Sequence, residues 1–125
     1  PVIDTHDATF SAVASALRAA FTTIYCYQEW KNTIATFPCV VIPEIDNSET
    51  ARDLSNNENA ANIGIQIDIY SNLETGNLNQ RQAIMSTVDT TMRSLGYHRT
   101  YYNTDMPNID NTIKRTCARY AILAT

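Results

Sequence analysis

Glycine is scarce, with three residues in a chain of 125. Gly64, Gly76 and Gly96 lie too far apart to build a phosphate-cradling loop of the G-x-x-x-x-G-K-[ST] or G-x-G-x-x-G kind, which excludes nucleotide-binding enzymes of those types. Histidine is scarcer still. His6 and His98 stand alone, neither in H-E-x-x-H, and a hydrolase triad would have to recruit His98 with distant partners; an ordinary strand residue is the simpler reading. Cys26, Cys39 and Cys117 are odd in number and widely spaced, with no C-x-x-C pair and no nearby His at metal-ligand spacing, so they read as reduced, buried small hydrophobes. No apolar run approaches the ~18 residues of a membrane span. Pro1 opens no basic and apolar leader, and no N-x-Ser/Thr sequon occurs, so folding in a cytoplasm is the expectation.

Positive charge is also short. Nine Lys and Arg stand against 13 Asp and Glu, for a net −4, which argues against a protein that neutralises a row of phosphates. The imbalance is uneven along the chain: residues 1 to 80 carry a net −7 and residues 81 to 125 a net +3. Such a division serves either charge pairing inside one small fold or a molecule with an acidic and a basic side, suited to head-to-tail association. At 44% hydrophobic and 18% charged, the chain is too apolar for a disordered protein and has the length of one ordinary domain, residues 1 to 125.

Phe10, Val13, Leu17, Phe21 and Ile24 recur at helical spacing with alanines between them, predicting a helix over 7–22 with Thr5 or Asp7 as its cap. Tyr25 to Gln28 and Pro38 to Ile45 read as strands, the second broken at Pro43 or near an edge. Residues 46–61 turn polar and read as a long loop. Ile63, Ile65, Ile67 and Ile69 alternate with polar or small residues, the clearest strand in the chain. After a turn over 72–77, Leu78, Ile84, Met85, Val88, Met92 and Leu95 form a second helical stripe over 78–95, with Gly96 as its left-handed cap. Tyr97 to Tyr102 is a fourth strand, 103–111 a loop, and Thr112 to Leu123 a fifth strand with Ala118, Tyr120 and Ile122 on one face and Arg115, Cys117 and Arg119 on the other. The order α-β-β-β-α-β-β predicts an α+β domain: a largely antiparallel or mixed five-stranded sheet with two helices on one face.

Asp105 and Asp110 flank one short loop, where two carboxylates hold a cation or act as acid and base; turn chemistry explains Asp, Asn and Pro there more simply. Tyr97, Arg99, Tyr101 and Tyr102 imitate a single-strand nucleic-acid platform, against which the acidic total weighs. No catalytic constellation emerges and no cofactor is implied, a pattern that suits a structural or assembly protein.

Local wording adds a resemblance. Phe37-Pro38-Cys39-Val40-Val41-Ile42, Glu44-Ile45-Asp46-Asn47, Asn62 leading into Ile63-Gly64-Ile65-Gln66-Ile67-Asp68-Ile69-Tyr70-Ser71-Asn72, Ile84 to Asp89, Met92 to Tyr97, Asn108-Ile109-Asp110, Lys114-Arg115 and Cys117-Ala118-Arg119-Tyr120 together resemble small neck and tail proteins of long-tailed bacteriophages, in particular the tail terminator, or tail completion, family. The likeness runs from about residue 7 onward and rests on pattern rather than on an active-site motif. It implies a non-enzymatic α+β protein that forms a hexameric ring on the head-proximal end of the tail tube, stops tube growth and presents a surface to the head-completion (stopper) protein. Assembly in the host cytoplasm, residence in the virion, and contact with copies of itself and the tail tube protein follow, with DNA passing unbound and no membrane involved. A head-completion or neck adaptor is the nearest alternative; a small hydrolase or binding domain using Asp105 and Asp110 is the alternative from another class. A ring of identical subunits needs two different complementary surfaces. Arg115 and Arg119 are the candidates for the basic one, and Asp46, Glu49, Asp53 and Glu58 for lumen or tube-contact positions, since an acidic wall does not hold phosphates.

Overall fold

The computed structural model describes residues 4–30, 36–52, 58–107 and 112–124, with residues 49–52, 58 and 59 described by their backbone alone. The α+β expectation holds, with six strands in place of five. The order is α1 (His6–Ala20), β1 (Tyr25–Tyr27), β2 (Cys39–Val41), β3 (Glu44–Arg52), β4 (Glu58–Ser71), α2 (Asn77–Ser94), β5 (His98–Met106) and β6 (Lys114–Ala124).

The additional strand comes from the polar segment read as a loop over 46–61. Its two flanks pair as β3 and the start of β4 in an antiparallel hairpin, from Glu44 opposite Ile65 to Arg52 opposite Glu58. Period-two hydrophobicity marks a strand only where one face is buried. Here Ile45, Asp46, Asn47 and Ser48 are exposed, so the polar sequence of β3 carries no such mark. β2 and β3 follow the same edge of β4 one after the other, and Pro43, which has no N–H to donate, keeps the ladder going by accepting the Gln66 N–H at 3.0 Å. The full order is β1-β2-β4-β6-β5 with β3 beside β4; β1 and β2 are parallel and the other pairs antiparallel. Residues 103–106, expected in a loop, extend β5 to Met106.

β4 supplies the centre of the core. Ile63, Ile65, Ile67 and Ile69 are fully buried and meet Ala118 and Tyr120 of β6, Val13 and Leu17 of α1, and Ile84, Val88 and Met92 of α2. Burying one such side chain contributes about 1.5 to 3 kcal/mol, so this row alone outweighs any surface pairing. Thr5 occupies the cap position of α1, but its hydroxyl makes no cap bond; Asp7 lies in the first turn, where the helix dipole favours an acid. The stripe of α2 is shifted from the expected one. Leu78 and Leu95 are exposed, and Arg81 is buried on the same face as Met85, Val88 and Met92.

α2 ends in a Schellman turn. Gly96 has φ of +96°, its N–H bonds to Arg93 O at 3.0 Å, and the Tyr97 N–H bonds to Met92 O at 3.1 Å. A Cβ at Gly96 would stand 3.1 Å from Ile122 Cδ1 and in a backbone region that L-residues avoid. Gly96→Ala is expected to cost about 1 to 2 kcal/mol by urea unfolding; an unchanged midpoint would mean that the turn relaxes without strain.

Candidate functional site

Both helices cover one face of the sheet, and side chains alternate along strands, so every second residue of the central strands points to the helix-free side. On β4 these are Gln66, Asp68 and Tyr70. The register places them opposite Arg119, Cys117 and Arg115 of β6, with Tyr101 and Asn103 of β5 beyond and Cys39 and Val41 of β2 on the other flank.

A continuous polar chain crosses this face. Arg119 Nε donates to Gln66 Oε1 at 3.0 Å, Gln66 Nε2 to Asp68 Oδ2 at 2.8 Å, and Arg115 Nε to Asp68 Oδ1 at 2.8 Å. Asp68 is completely buried although it lies on the helix-free side, bonded there to Arg115 and Gln66. The guanidinium of Arg115 sits 5.7 Å from the Trp30 ring centroid and 5.9 Å from that of Tyr70; Arg119 sits 5.2 Å from Tyr101. These contacts hold both arginines in place, and Trp30 and Tyr101 remain 50% and 37% exposed. Beside them Cys39, Val41 and Tyr70 form a small second core with Tyr27, Phe37 and Ile113.

Burial, then the Asp68 charge, pushes the Cys117 thiol up to about 11 and the Tyr70 hydroxyl up to about 12. Burial tends to lower Arg115, but its bond to Asp68 holds it above the ordinary arginine value. Cys117 is therefore a buried thiol rather than a thiolate. Cys26, Cys39 and Cys117 carry no disulfide.

The two candidate arginines therefore share one face, about four strand residues apart. The acidic candidates gather on the β3–β4 hairpin as far as they are described. Asp46 is exposed and accepts the Ser48 hydroxyl at 2.6 Å; Glu49 and Glu58 are placed by their backbones in β3 and β4, and Asp53 lies outside the described residues. Gly64 lets β3 approach closely here, since a Cβ on it would stand 3.1 Å from Asp46 Cβ.

Of the remaining candidates, Asp105 is exposed, 3.9 Å from Arg81, and Asp110 lies outside the described residues. Among the described residues no three of His, Cys, Asp and Glu come together as a metal site. The supposed nucleic-acid platform is divided by strand alternation: Tyr97 is buried with its hydroxyl 2.9 Å from Thr9 Oγ1, Arg99 and Tyr102 stack on the helix side, and only Tyr101 faces the open side. His98 is an exposed strand residue opposite Ala121. No helix among the described residues is long and apolar enough to cross a membrane.

Two ion networks fix the frame. Asp89 of α2 accepts the Tyr120 hydroxyl at 2.6 Å and faces Arg93 Nε at 2.8 Å and Arg99 at 3.4 Å. Arg81 donates to Thr104 O, to Thr116 Oγ1 at 2.8 Å and to Asn77 Oδ1 at 3.0 Å, tying the first turn of α2 to β5 and β6. Among the described ion pairs, Arg115–Asp68 alone joins the acidic first part of the sequence to the basic second part.

Partial burial pushes the Asp89 carboxyl up, but the Tyr120 hydroxyl, Arg93 and Arg99 together hold it below its ordinary value. A carboxyl depressed by folding stabilises above its unfolded pKa of about 3.9, and that contribution is lost as pH falls through the folded value. Asp89→Asn is therefore expected to cost about 1 kcal/mol at pH 7 and to flatten the loss of stability below about pH 4. Melting curves of both proteins from pH 7 to 2.5 check this; parallel curves would remove Asp89 as a cause. Comparison of the chain with protein-family models and with curated protein sequences finds no match.

Proposed function

We propose that the chain is a non-enzymatic assembly protein of the tail terminator kind, which closes into a ring of identical copies on the head-proximal end of a phage tail tube. In this role it ends tube growth and offers the surface to which the head-completion protein docks. The observation that carries the reading is the helix-free sheet face, where Trp30, Tyr101, Arg115 and Arg119 stand together. Trp, Tyr and Arg are the residue types that dominate the energetics of protein interfaces, and Lys and Glu those that avoid their centres. Because Asp68, Gln66 and the rings already hold the arginines, little side-chain entropy remains to be lost on docking. The net charge of −4 suits a passage through which DNA slides without being held.

Electron microscopy of particles from a phage lacking this protein tests the proposal. Overlong or irregular tubes beside tailless, DNA-filled heads support tail termination. Tails of uniform, normal length that fail to join heads would place the protein on the head side of the joint, as an adaptor. Normal infectious particles would overturn both roles.

A further inference from the structure

At the first turn of α1, where β2 passes into β3, a cleft of about 450 Å³ opens between His6, Gln28, Glu29, Trp30, Pro43 and Glu44. Its polar groups are unusual in that almost all of them accept. His6 Nε2 lies 2.7 Å from Ile42 O, and since a carbonyl only accepts, that nitrogen carries the proton; in the neutral ring Nδ1 is then an acceptor. Glu44 Oε1 is buried and has no hydrogen-bond partner. Gln28 gives an amide N–H to Asp7, and Glu29 stands exposed at the rim. One wall is Trp30, half exposed.

We propose that this cleft binds a guanidinium or primary ammonium group, with Glu44 and His6 Nδ1 accepting its N–H bonds and the Trp30 ring packed against it. A buried carboxylate oxygen without a donor is costly to keep, so the cleft lacks the hydrogen-bond donor that such a group supplies. Burial pushes the Glu44 carboxyl up and His6 acts against it, while Asp4 and Asp46 lie close enough to add negative charge that a bound cation would offset. Aromatic faces attract cations, and Trp does so most strongly; Arg115 already lies 5.7 Å from the Trp30 ring, so the group would pack on the part of the ring that Arg115 leaves exposed. The volume exceeds that of a bare ion and accommodates a charged head with its aliphatic stem, while the described acids and His6 do not converge as a metal site. No described Lys or Arg lines the cleft. Two exposed cations elsewhere on the molecule, Arg18 and Lys114, make no ion pair with the described residues, so a second copy is one source of the group and a free polyamine is the other.

Trp30 is the only tryptophan, so its emission reads the cleft without a label. The experiment is a titration of the full chain with agmatine, followed by Trp30 fluorescence, in the natural sequence and in Glu44→Gln and Glu29→Gln, each checked for folding by circular dichroism. A saturable change that weakens about fivefold or more in Glu44→Gln, and in Glu29→Gln if the first variant does not fold, is the expected result. Emission that does not respond to agmatine, or responds equally in folded Glu44→Gln, would overturn the site. Dilution of the chain without agmatine separates the sources. A concentration-dependent Trp30 signal abolished by Arg18→Glu or Lys114→Glu identifies the side chain of a second copy, whereas an agmatine response with no dilution signal identifies a free amine.

Discussion

Arg115→Met is expected to destabilise the fold by roughly 3 to 5 kcal/mol, lowering the melting temperature by roughly 10 to 20 °C. The reason lies on the other side of the ion pair. Asp68 is fully buried on β4, and its two oxygens are held by Arg115 Nε and by Gln66 Nε2, both at 2.8 Å. Methionine keeps the stem's packing over Tyr70 and Trp30 but leaves a buried carboxylate with the Gln66 amide and the Cys117 thiol as donors and no counter-charge. Uncompensated burial of a charge is among the few single changes that reach this size. If this account is right, Asp68→Asn added to Arg115→Met should recover half or more of the loss, because the charge that needed Arg115 is gone. Urea unfolding of the two single variants and the double variant measures the coupling. Simple additivity would show that Arg115 acts through packing alone, and the polar chain across the open face would then have no organising role.

That pair also marks where sequence reading stops. Ile63, Ile65, Ile67 and Ile69 announce β4 because each meets the same helical layer, and the Met85, Val88 and Met92 stripe with Gly96 announces α2 and its end for the same reason. β3 makes no such announcement. Its residues are held by backbone bonds to β4, its side chains from Ile45 to Ser48 are exposed, and backbone bonds have no side-chain signature. Arg81 was within reach: residues 81, 85, 88 and 92 fall on one helical face, but a charge on an apolar stripe reads as a boundary until a carbonyl and two side-chain oxygens are seen to receive it. The open face was half legible. Strand alternation alone sets Arg115 and Arg119 on the same side of β6. That Asp68 and Gln66 lie across from them depends on the register of two strands 47 to 53 residues apart in sequence, and that Trp30 folds over Arg115 depends on a loop with no periodicity at all.

The largest functional effect is expected from Arg119→Glu. Arg119 is exposed, its side chain bonds among the described residues to Gln66 Oε1 at 3.0 Å, and it lies over the Tyr101 ring, so its loss costs the fold little, about 1 kcal/mol. Reversing its charge sets a carboxylate beside the Gln66 carbonyl and near Asp68, frees Tyr101 and turns a basic, aromatic patch locally acidic. If that patch is the contact of the proposed ring, each interface loses about 2 to 4 kcal/mol, which is a factor of roughly 30 to 1,000 in association at each contact. In a closed ring the loss recurs at every subunit boundary. Infectious yield from a phage carrying Arg119→Glu should therefore fall by roughly a hundredfold or more while the isolated protein melts within a few degrees of the natural one. Glu74→Gln, an exposed change at the turn before α2 and away from the face, should leave both yield and melting temperature unchanged. Equal yields from Arg119→Glu and the natural sequence would mean that the helix-free face makes no contact on which assembly depends. The ring would then have to close through other surfaces, with the β3–β4 hairpin that carries Asp46 as the next surface to mutate.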